Sequence, residues 1–182
     1  MSWDNELNEM AQRANLAEAM GGEEKVARQH EFNKLTIRER IAHIADADSF
    51  HEIGKLAGVG EYDEDGNLTH LTPSNFVVGT AEIDDRPVIL SGDDFTVRGG
   101  SADASIAGKR KQAEGLAAEL RLPHIRLVDG MGGGGSVKTI ETAGRTYIPE
   151  LRGWETIVSH LSIAPSLSLI HISEPTRPSS IS

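Results

Sequence analysis

The chain has 182 residues, of which 38% are hydrophobic and only 4% aromatic, and its formal charge is −10. That length suits one ordinary domain, and a core with so few rings must be built from aliphatic side chains. The negative charge argues against a general affinity for DNA or RNA, which requires a basic surface. Because the chain has no Cys, disulfides, thiolate metal sites and cysteine nucleophiles are excluded.

The N-terminal sequence predicts neither export nor membrane insertion. Residues 1–22 are acidic and lack the apolar stretch of a signal peptide. No run of about 18 apolar residues occurs, so no membrane-spanning helix is expected. We therefore expect a cytoplasmic protein.

Two helices are predicted at the start of the chain. Residues 3–20 are rich in helix-favouring side chains, and Gly21 and Gly22 end this helix. A second helix is expected from residue 23 to about residue 33. Residues 1–34 are therefore interpreted as an N-terminal helical segment.

A third helix begins at a capping box formed by Thr36 and Glu39. It is expected to end near residue 46, and its apolar face is formed by Ile37, Ile41 and Ile44.

Strands are predicted next. Residues 48–54 alternate in polarity and predict a short strand, whereas residues 60–75 carry turn residues throughout and are interpreted as a surface loop. Residues 76–83 and 87–92 read as two strands joined by a turn at residues 84–86, which predicts a β-hairpin.

The second half of the chain alternates between helix and strand. Residues 102–120 predict an amphipathic helix, residues 124–129 a buried strand, and residues 153–161 the start of another helix, with an apolar strand entry at residues 162–165. From residue 76 onward the order is strand, strand, helix, strand, helix. That order predicts an α/β fold with helices packed on a sheet.

Two glycine-rich segments are candidate functional sites, because each follows a predicted strand. Gly99 and Gly100 precede a helix, whose first amides could stabilise an oxyanion, although a tight turn that only needs glycine is the alternative. In the second segment, Gly130, Gly132 and Gly135 fit the spacing G-x-G-x-x-G. No clean helix follows it, so a flexible loop is the alternative.

Other motifs are weaker. Residues 109–111 (KRK) form a positive spot that could meet coenzyme phosphates, or simply a solvated helix face. The seven His show no metal-ligand spacing, and no Ser lies in a G-x-S-x-G motif, so a metal or triad hydrolase is poorly supported.

Four ordered stretches resemble the carboxyltransferase (beta) subunits of biotin-dependent acyl-CoA carboxylases, of the propionyl-CoA or acetyl-CoA type. KLTIRERI at residues 34–41 is similar to the family's K-L-T-x-R-E-R-I, and DSFHEIG at residues 48–54 to its S-F-x-E-x-G. Residues 78–81 resemble a family strand that leads into a Pro-Val strand. DFTVRGGS at residues 94–101 is close to D-F-T-V-x-G-G-S. The resemblance spans about residues 25–165.

The resemblance implies a crotonase-like β-β-α superhelix, incomplete in this chain and preceded by N-terminal helices. Residues 35–165 would be the first part of the N-terminal acyl-CoA carboxyltransferase domain. The implied activity is transfer of a carboxyl group from carboxybiotin to the α-carbon of an acyl-CoA through a thioester enolate. Biotin on a partner and acyl-CoA are then the implied cofactor and substrate, with no metal in this subunit.

The resemblance also implies roles for individual residues. Gly99 and Gly100 would supply one oxyanion donor, the glycines at residues 132–135 would line the acyl-CoA pocket, and Lys109 and Arg110 would meet CoA phosphates. The glycines of that pocket are Gly132, Gly133, Gly134 and Gly135. Many family members carry D-S-G-G-A-R in place of residues 129–135, so the resemblance leaves the acyl-CoA open.

Partners and alternatives follow from the same resemblance. The implied partners are a biotin carboxylase or biotin carrier subunit and further copies of the full-length subunit, without nucleic acid or membrane. In the family a second oxyanion donor and most of the biotin site lie beyond the matched segment, so we expect this chain alone to be inactive. The alternatives are another crotonase-fold acyl-CoA enzyme, such as a hydratase or decarboxylase, and a non-catalytic binding module.

The last residues have a different character. Residues 167–177 (LSLIHISEPTR) resemble the translation of a transposase-based sequencing-library adapter in one of its frames. We therefore expect residues 166–182 to be a non-native tail, with a natural Ser/Pro-rich tail as the alternative.

Overall fold

The computed structural model describes residues 3–101, 106–130 and 160–163. The described helices are α1 (Asp4–Glu18), α2 (Glu23–Glu31), α3 (Ile37–Ile44) and α4 (Ala107–Leu120), with a short 3-10 turn at Arg98–Gly100. The described strands are β1 (His51–Glu52), β2 (Gly58–Tyr62), β3 (Leu68–Pro73), β4 (Phe76–Ile83), β5 (Arg86–Asp93), β6 (His124–Leu127) and β7 (His160–Ile163).

A five-stranded mixed sheet organises the fold, in the order β1-β4-β5-β6-β7. β4 and β5 form the predicted hairpin, with Phe76 opposite Asp93 and Ile83 opposite Arg86. β6 runs parallel to β5, and β7 runs parallel to β6. Because α4 connects the parallel strands β5 and β6, the chain forms a β-α-β unit, as parallel neighbours require.

Both faces of the sheet are covered, because alternate side chains of each strand point to opposite faces. One face packs against α3 and the other against α4. The α3 side buries Ile37, Ile41, Val77, Ala81, Val88, Leu90 and Leu127. The α4 side buries Phe76, Val78, Ile89, Ala113 and Ala117. Each large aliphatic side chain buried in these clusters stabilises the fold by roughly 1.5–3 kcal/mol.

The predicted capping box of α3 is confirmed. The Glu39 amide donates to Thr36 Oγ1 at 3.3 Å, and the Thr36 amide donates to Glu39 Oε2 at 2.7 Å. The turn predicted at residues 84–86 is also present, but it is formed by Asp84 and Asp85 alone, both with positive φ, because Arg86 already pairs with Ile83. The Asp84 and Asp85 amides donate to the Asp46 carboxylate at 3.1 and 2.9 Å, so the end of α3 holds the hairpin turn.

Two predictions were wrong. Residues 60–75 are not a surface loop, because β2 and β3 pair antiparallel on either side of a turn that Asp63 organises by accepting from the Asn67 amide at 2.8 Å. The turn residues are real, but they join two strands. His160 and Leu161 lie in β7 rather than in a helix, because they pair with His124 and Ile125 of β6. Residues 153–159 and 102–105 of the predicted helices lie outside the described residues.

The helices of the described ranges include none with both the length and the apolar character that a bilayer crossing requires.

Candidate functional site

The two sequence-predicted glycine segments meet at the carboxyl ends of β5 and β6. Parallel strands present their carboxyl ends at the same edge of a sheet, where α/β proteins commonly bind ligands. A Cβ atom at Gly100 would lie 2.4 Å from the Asp129 carbonyl oxygen and 3.1 Å from the Gly130 Cα. Gly100 has a φ of +64°, a conformation that other residues adopt at a cost. The turn after β5 therefore depends on glycine for its shape and for its contact with the loop after β6.

Buried polar side chains build this glycine turn. Asp94 Oδ1 accepts hydrogen bonds from the Thr96 amide at 2.9 Å and from the Thr96 hydroxyl at 2.6 Å. Asn75, which is fully buried, donates from Nδ2 to the Ser101 carbonyl at 2.7 Å and to the Val97 carbonyl at 3.5 Å. One amide thus ties together both ends of the turn.

The two amides of Gly99 and Gly100 differ in what they can do. The Gly100 N–H donates to the Val97 carbonyl at 3.2 Å and so belongs to the turn. None of the residues that the structure describes accepts a hydrogen bond from the Gly99 N–H. Gly99 also has a φ of +64° and is partly exposed. As far as the described residues go, the Gly99 amide could thus donate to an oxygen atom of a ligand, whereas Gly100 permits close packing.

Asp129 forms the other side of the site and is 4% exposed. Burial raises the pKa of its carboxyl group, and the nearby Lys34 and Arg40 cations and a hydrogen bond from Gln29 oppose that rise. Lys34 Nζ lies 3.9 Å from Asp129 Oδ1 and 5.2 Å from the centre of the Phe95 ring. Burial likewise raises the pKa of Asp94. The carboxylates at this edge thus already have partners in the protein.

Helix α2 forms the outer wall of the site. The Gly21 amide, just before α2, donates to Thr96 Oγ1 at 2.9 Å. A Cβ atom at Gly21 would lie 2.2 Å from the Thr96 carbonyl oxygen, so this contact also requires glycine. Between α2 and the glycine turn lies a cavity of about 680 Å³. Its lining consists of Lys25, Arg28, Gln29, Phe32, Lys34, Phe95, Thr96, Arg98 and Gly99.

Lys109 and Arg110, the candidate phosphate ligands on α4, turn inward. Lys109 is 7% exposed, and its Nζ lies 3.9 Å from Glu52 Oε1; burial lowers its pKa to about 8, with Glu52 acting to raise it. Arg110 lies 2.7 Å from Asp93 Oδ1 and 5.0 Å from the centre of the Phe76 ring. Their role in binding CoA phosphates stays a prediction, and neither side chain belongs to a solvated helix face.

The remaining candidates lie elsewhere. Gly132 to Gly135 fall outside the described residues, so their predicted pocket role stays a prediction. Asp46, Glu82 and Asp85 bring three carboxylates within 4.8 Å of one another. Since the Asp46 oxygens accept the two amides of the hairpin turn, this group is accounted for by the fold.

Sequence reasoning missed the side chains that build the site. Asn75 precedes β4 in the segment that the sequence predicts as a loop. Lys25 and Arg28 lie on α2 and Phe32 caps its end, and the sequence predicts a helix there without a site. The sequence of α2 does indicate a basic helix face, because Lys25 and Arg28 are three residues apart and therefore lie on the same side of the helix. Which surface that face meets depends on the tertiary structure.

Comparison with known proteins supplies the family. Residues 28–151 match the model of the carboxyl transferase domain. The propionyl-CoA carboxylase carboxyltransferase subunit of Haloferax mediterranei is 31% identical over 132 residues, which is 72% of this chain and 26% of that protein. The mitochondrial methylcrotonoyl-CoA carboxylase beta chain of Arabidopsis thaliana is 36% identical over 127 residues, which is 69% of this chain and 21% of that protein. The chain thus spans about a quarter of the length of these relatives.

Solved structures of carboxyltransferases and acyl-CoA carboxylases agree with this family assignment. The transcarboxylase 12S structure with bound methylmalonyl-coenzyme A matches 79% of this chain and 29% of its own, with a TM-score of 0.61 and 28% identity. A single-chain, multi-domain long-chain acyl-CoA carboxylase matches 87% of this chain and 17% of its own, with a TM-score of 0.60 and 25% identity. The expected crotonase-like α/β fold class is confirmed by these neighbours.

Proposed function

We propose, since this chain belongs to the carboxyl transferase domain family, that it is part of a carboxyltransferase component of a biotin-dependent acyl-CoA carboxylase. The reaction would move a carboxyl group onto the α-carbon of an acyl-CoA. The observation that carries this proposal is the glycine turn at the carboxyl end of β5, where the Gly99 N–H has no acceptor among the described residues. That amide is the kind of group an enolate oxygen requires.

The chemistry asked of the turn is stabilisation of charge. When an α-proton leaves an acyl thioester, negative charge develops on the thioester oxygen. A fixed backbone N–H aimed at that oxygen stabilises the charge without reorganising at the moment of reaction. Asn75, Asp94 and the Gly100–Asp129 contact fix the turn, so the Gly99 amide would be held in place before substrate arrives.

The proton acceptor and the carboxyl group must come from another source. Asp94 is occupied by Thr96, and Asp129 is buried beside Lys34 and Gln29, so neither is poised as a base. Biotin on a partner supplies both the carboxyl group and the base when it is bound. This division of labour agrees with a site whose own contribution is positioning and electrostatics.

The finer parts of the proposal rest on the relatives. The partners would be a biotin carboxylase or biotin carrier subunit and further copies of the subunit, since transcarboxylase 12S assembles as a hexamer. A cytoplasmic location belongs to the same proposal. Gly132 to Gly135 would line the acyl-CoA pocket. Propionyl, acetyl, longer-chain and branched enoyl groups all remain candidate acyl groups.

The experiment exchanges single amides for esters in a subunit that contains this chain and has the length of its relatives. Replacing Gly99 with glycolic acid removes one N–H and also weakens the Arg98 carbonyl, which accepts from the Ser101 amide at 3.2 Å. We expect kcat for carboxyl transfer to fall by roughly 10²–10³-fold, as for loss of one oxyanion donor. The matched control is glycolic acid at Gly100, which removes an N–H already used by Val97. Equal kcat losses at both positions, or none at Gly99, would remove Gly99 from the proposed oxyanion site.

A further inference from the structure

We propose that Asp129 is a positioning residue, which holds the loop after β6 against the glycine turn after β5 and so fixes where the Gly99 amide points. This role deepens the function proposed above and rests on it for its link to the reaction. The contact between the two loops can be measured without any carboxyl transfer.

The pairing of the strands does not by itself fix the two loops. β5 and β6 pair in parallel as far as Gly92 opposite Leu127. Asp129 and Gly99 both lie beyond this last pair. Because connecting segments are more mobile than the strands they join, the position of the Gly99 amide depends on the other contacts of these loops.

The two loops touch backbone to backbone. A Cβ atom at Gly100 would lie 2.4 Å from the Asp129 carbonyl oxygen, and a Cβ atom at Gly130 would lie 3.1 Å from the Gly100 carbonyl oxygen. Close-packed protein interiors transmit displacement from one group to the next. A shift of the loop after β6 would therefore move the glycine turn with it.

The Asp129 side chain anchors its loop to the helices that precede the sheet. It accepts a hydrogen bond from Gln29, which is buried on α2, and Arg40 on α3 supplies a favourable positive charge. Lys34 Nζ lies 3.9 Å from Asp129 Oδ1 and also 5.2 Å from the centre of the Phe95 ring, which belongs to the segment after β5. One carboxylate thus connects α2, α3 and both loops.

The other two buried carboxylates at this edge of the sheet have different partners. Asp93 pairs with two arginines, at 2.7 and 3.2 Å, and Asp94 accepts from Thr96 within the glycine turn. Of the three, Asp129 is the one that contacts Lys34 and Gln29. A buried carboxylate is costly, and a buried ion pair alone contributes little to stability. A role in setting geometry therefore accounts better for a charge at Asp129 than stability does.

The expected effect is on the chemical step. A backbone amide stabilises an enolate oxygen only when it is aimed at that oxygen, and a misplacement of about 1 Å can cost about 100-fold in rate. Asp129→Asn keeps the shape of the side chain but removes the charge that holds Lys34 and Arg40. We expect kcat for carboxyl transfer to fall roughly ten- to a hundredfold while KM changes little, as for an interaction made mainly in the transition state.

The test uses a subunit that contains this chain and has the length of its relatives. The matched control is Asp46→Asn, the same substitution at the opposite end of β5, where the carboxylate accepts the two amides of the hairpin turn. A second variant, Gly130→Ala, leaves the Asp129 charge in place and presses on the Gly100 carbonyl oxygen instead. We expect it to lower kcat in the same way, and Asp46→Asn to leave kcat unchanged.

Hydrogen exchange measured by mass spectrometry reports on the turn without any reaction. The Gly100 and Ser101 amides donate to the carbonyls of Val97 and Arg98 at 3.2 Å, so their exchange reports on opening of the turn. We expect this exchange to become roughly tenfold faster in Asp129→Asn and Gly130→Ala, and to stay unchanged in the control.

The two measurements separate this inference from the proposed function. A kcat loss in Asp129→Asn no greater than in Asp46→Asn, a rise in KM alone, or unchanged exchange at the glycine turn would overturn the role of Asp129. If the parent subunit transfers no carboxyl group while exchange responds as expected, the proposed function fails and the contact between the loops stands.

Discussion

Asn75 should stabilise the glycine turn more than any other single polar side chain of the site. It is fully buried, and its Nδ2 donates to the carbonyls of Ser101 at 2.7 Å and Val97 at 3.5 Å. The substitution Asn75→Ala removes both donors at once. It leaves the Ser101 carbonyl buried without this hydrogen bond, while the backbone of β4, which begins at the next residue, is unchanged.

The magnitude follows from three contributions. Losing the Asn75 hydrogen bond to the buried Ser101 carbonyl costs about 1–3 kcal/mol, and the long bond to Val97 adds little. Asn75 Oδ1 is itself buried without a partner among the described residues, so its removal returns part of that cost. We therefore expect the free energy of unfolding to fall by about 2 kcal/mol, which moves a urea midpoint by roughly 1 M for a chain of this size.

Urea unfolding followed by circular dichroism measures this change. The control is Ser74→Ala at the preceding residue, whose hydroxyl bonds, among the described residues, only to the backbone of Phe76. A midpoint shift for Asn75→Ala no larger than that of Ser74→Ala would show that the backbone alone, and not Asn75, holds the turn.

Three further predictions concern stability. Gly100→Ala should lower the free energy of unfolding by about 2–4 kcal/mol in urea titrations. The left-handed backbone conformation costs an alanine roughly 1–2 kcal/mol, and relieving the clash of its Cβ with the Asp129 carbonyl oxygen, 2.4 Å away, adds a further cost. An unchanged urea midpoint would contradict this. Glu52→Gln should cost about 3 kcal/mol in thermal unfolding, because Arg38 at 2.8 Å and buried Lys109 at 3.9 Å lose their shared anion, and a cost under about 1 kcal/mol would show the pair to be dispensable. Burial lowers the pKa of Lys109 to about 8 in the folded chain, against 10.5 for an exposed lysine. Between these two pH values the unfolded chain therefore binds more protons than the folded chain. The charge of Lys109 should thus destabilise the fold fully below pH 8, and progressively less as the pH rises above it. The stability advantage of Lys109→Met over the parent chain should accordingly shrink across that window, and a constant difference would contradict the lowered pKa.

The sequence predicts elements well where local signals and tertiary structure agree. The capping box at Thr36 and the hairpin of β4 and β5 are both present, because side-chain spacing and turn residues act locally. The β2–β3 hairpin was missed because its turn residues, around Asp63, dominated the pattern of the short flanking strands. His160 shows the opposite case, since its strand exists only through pairing with His124, a residue 36 positions earlier.

The sequence predicts which glycines form the turn of the site, but it does not predict where the charged side chains of the site lie. The turn requires glycine at position 100, because the residue has a positive φ and packs against the Asp129 carbonyl. A pair of glycines directly after a predicted strand indicates such a turn. The sequence run at Lys109 and Arg110 suggests an exposed basic patch. In the structure both side chains are largely buried, because Lys109 pairs with Glu52 and Arg110 with Asp93, and neither pairing can be predicted from the local sequence. The cations that line the cavity, Lys25 and Arg28, belong to a helix whose docking no local pattern encodes.

The proposed transfer of carboxyl groups to acyl-CoA can be measured in the reverse half-reaction. A subunit that contains this chain is incubated with free biotin and each of malonyl-CoA, methylmalonyl-CoA and carboxylated methylcrotonoyl-CoA, and the decarboxylated thioester is quantified by chromatography. We expect release of at least one decarboxylated thioester that depends on biotin. Biotin-independent release, or hydration of an enoyl-CoA without any carboxyl transfer, would contradict the account and favour a different crotonase-fold enzyme.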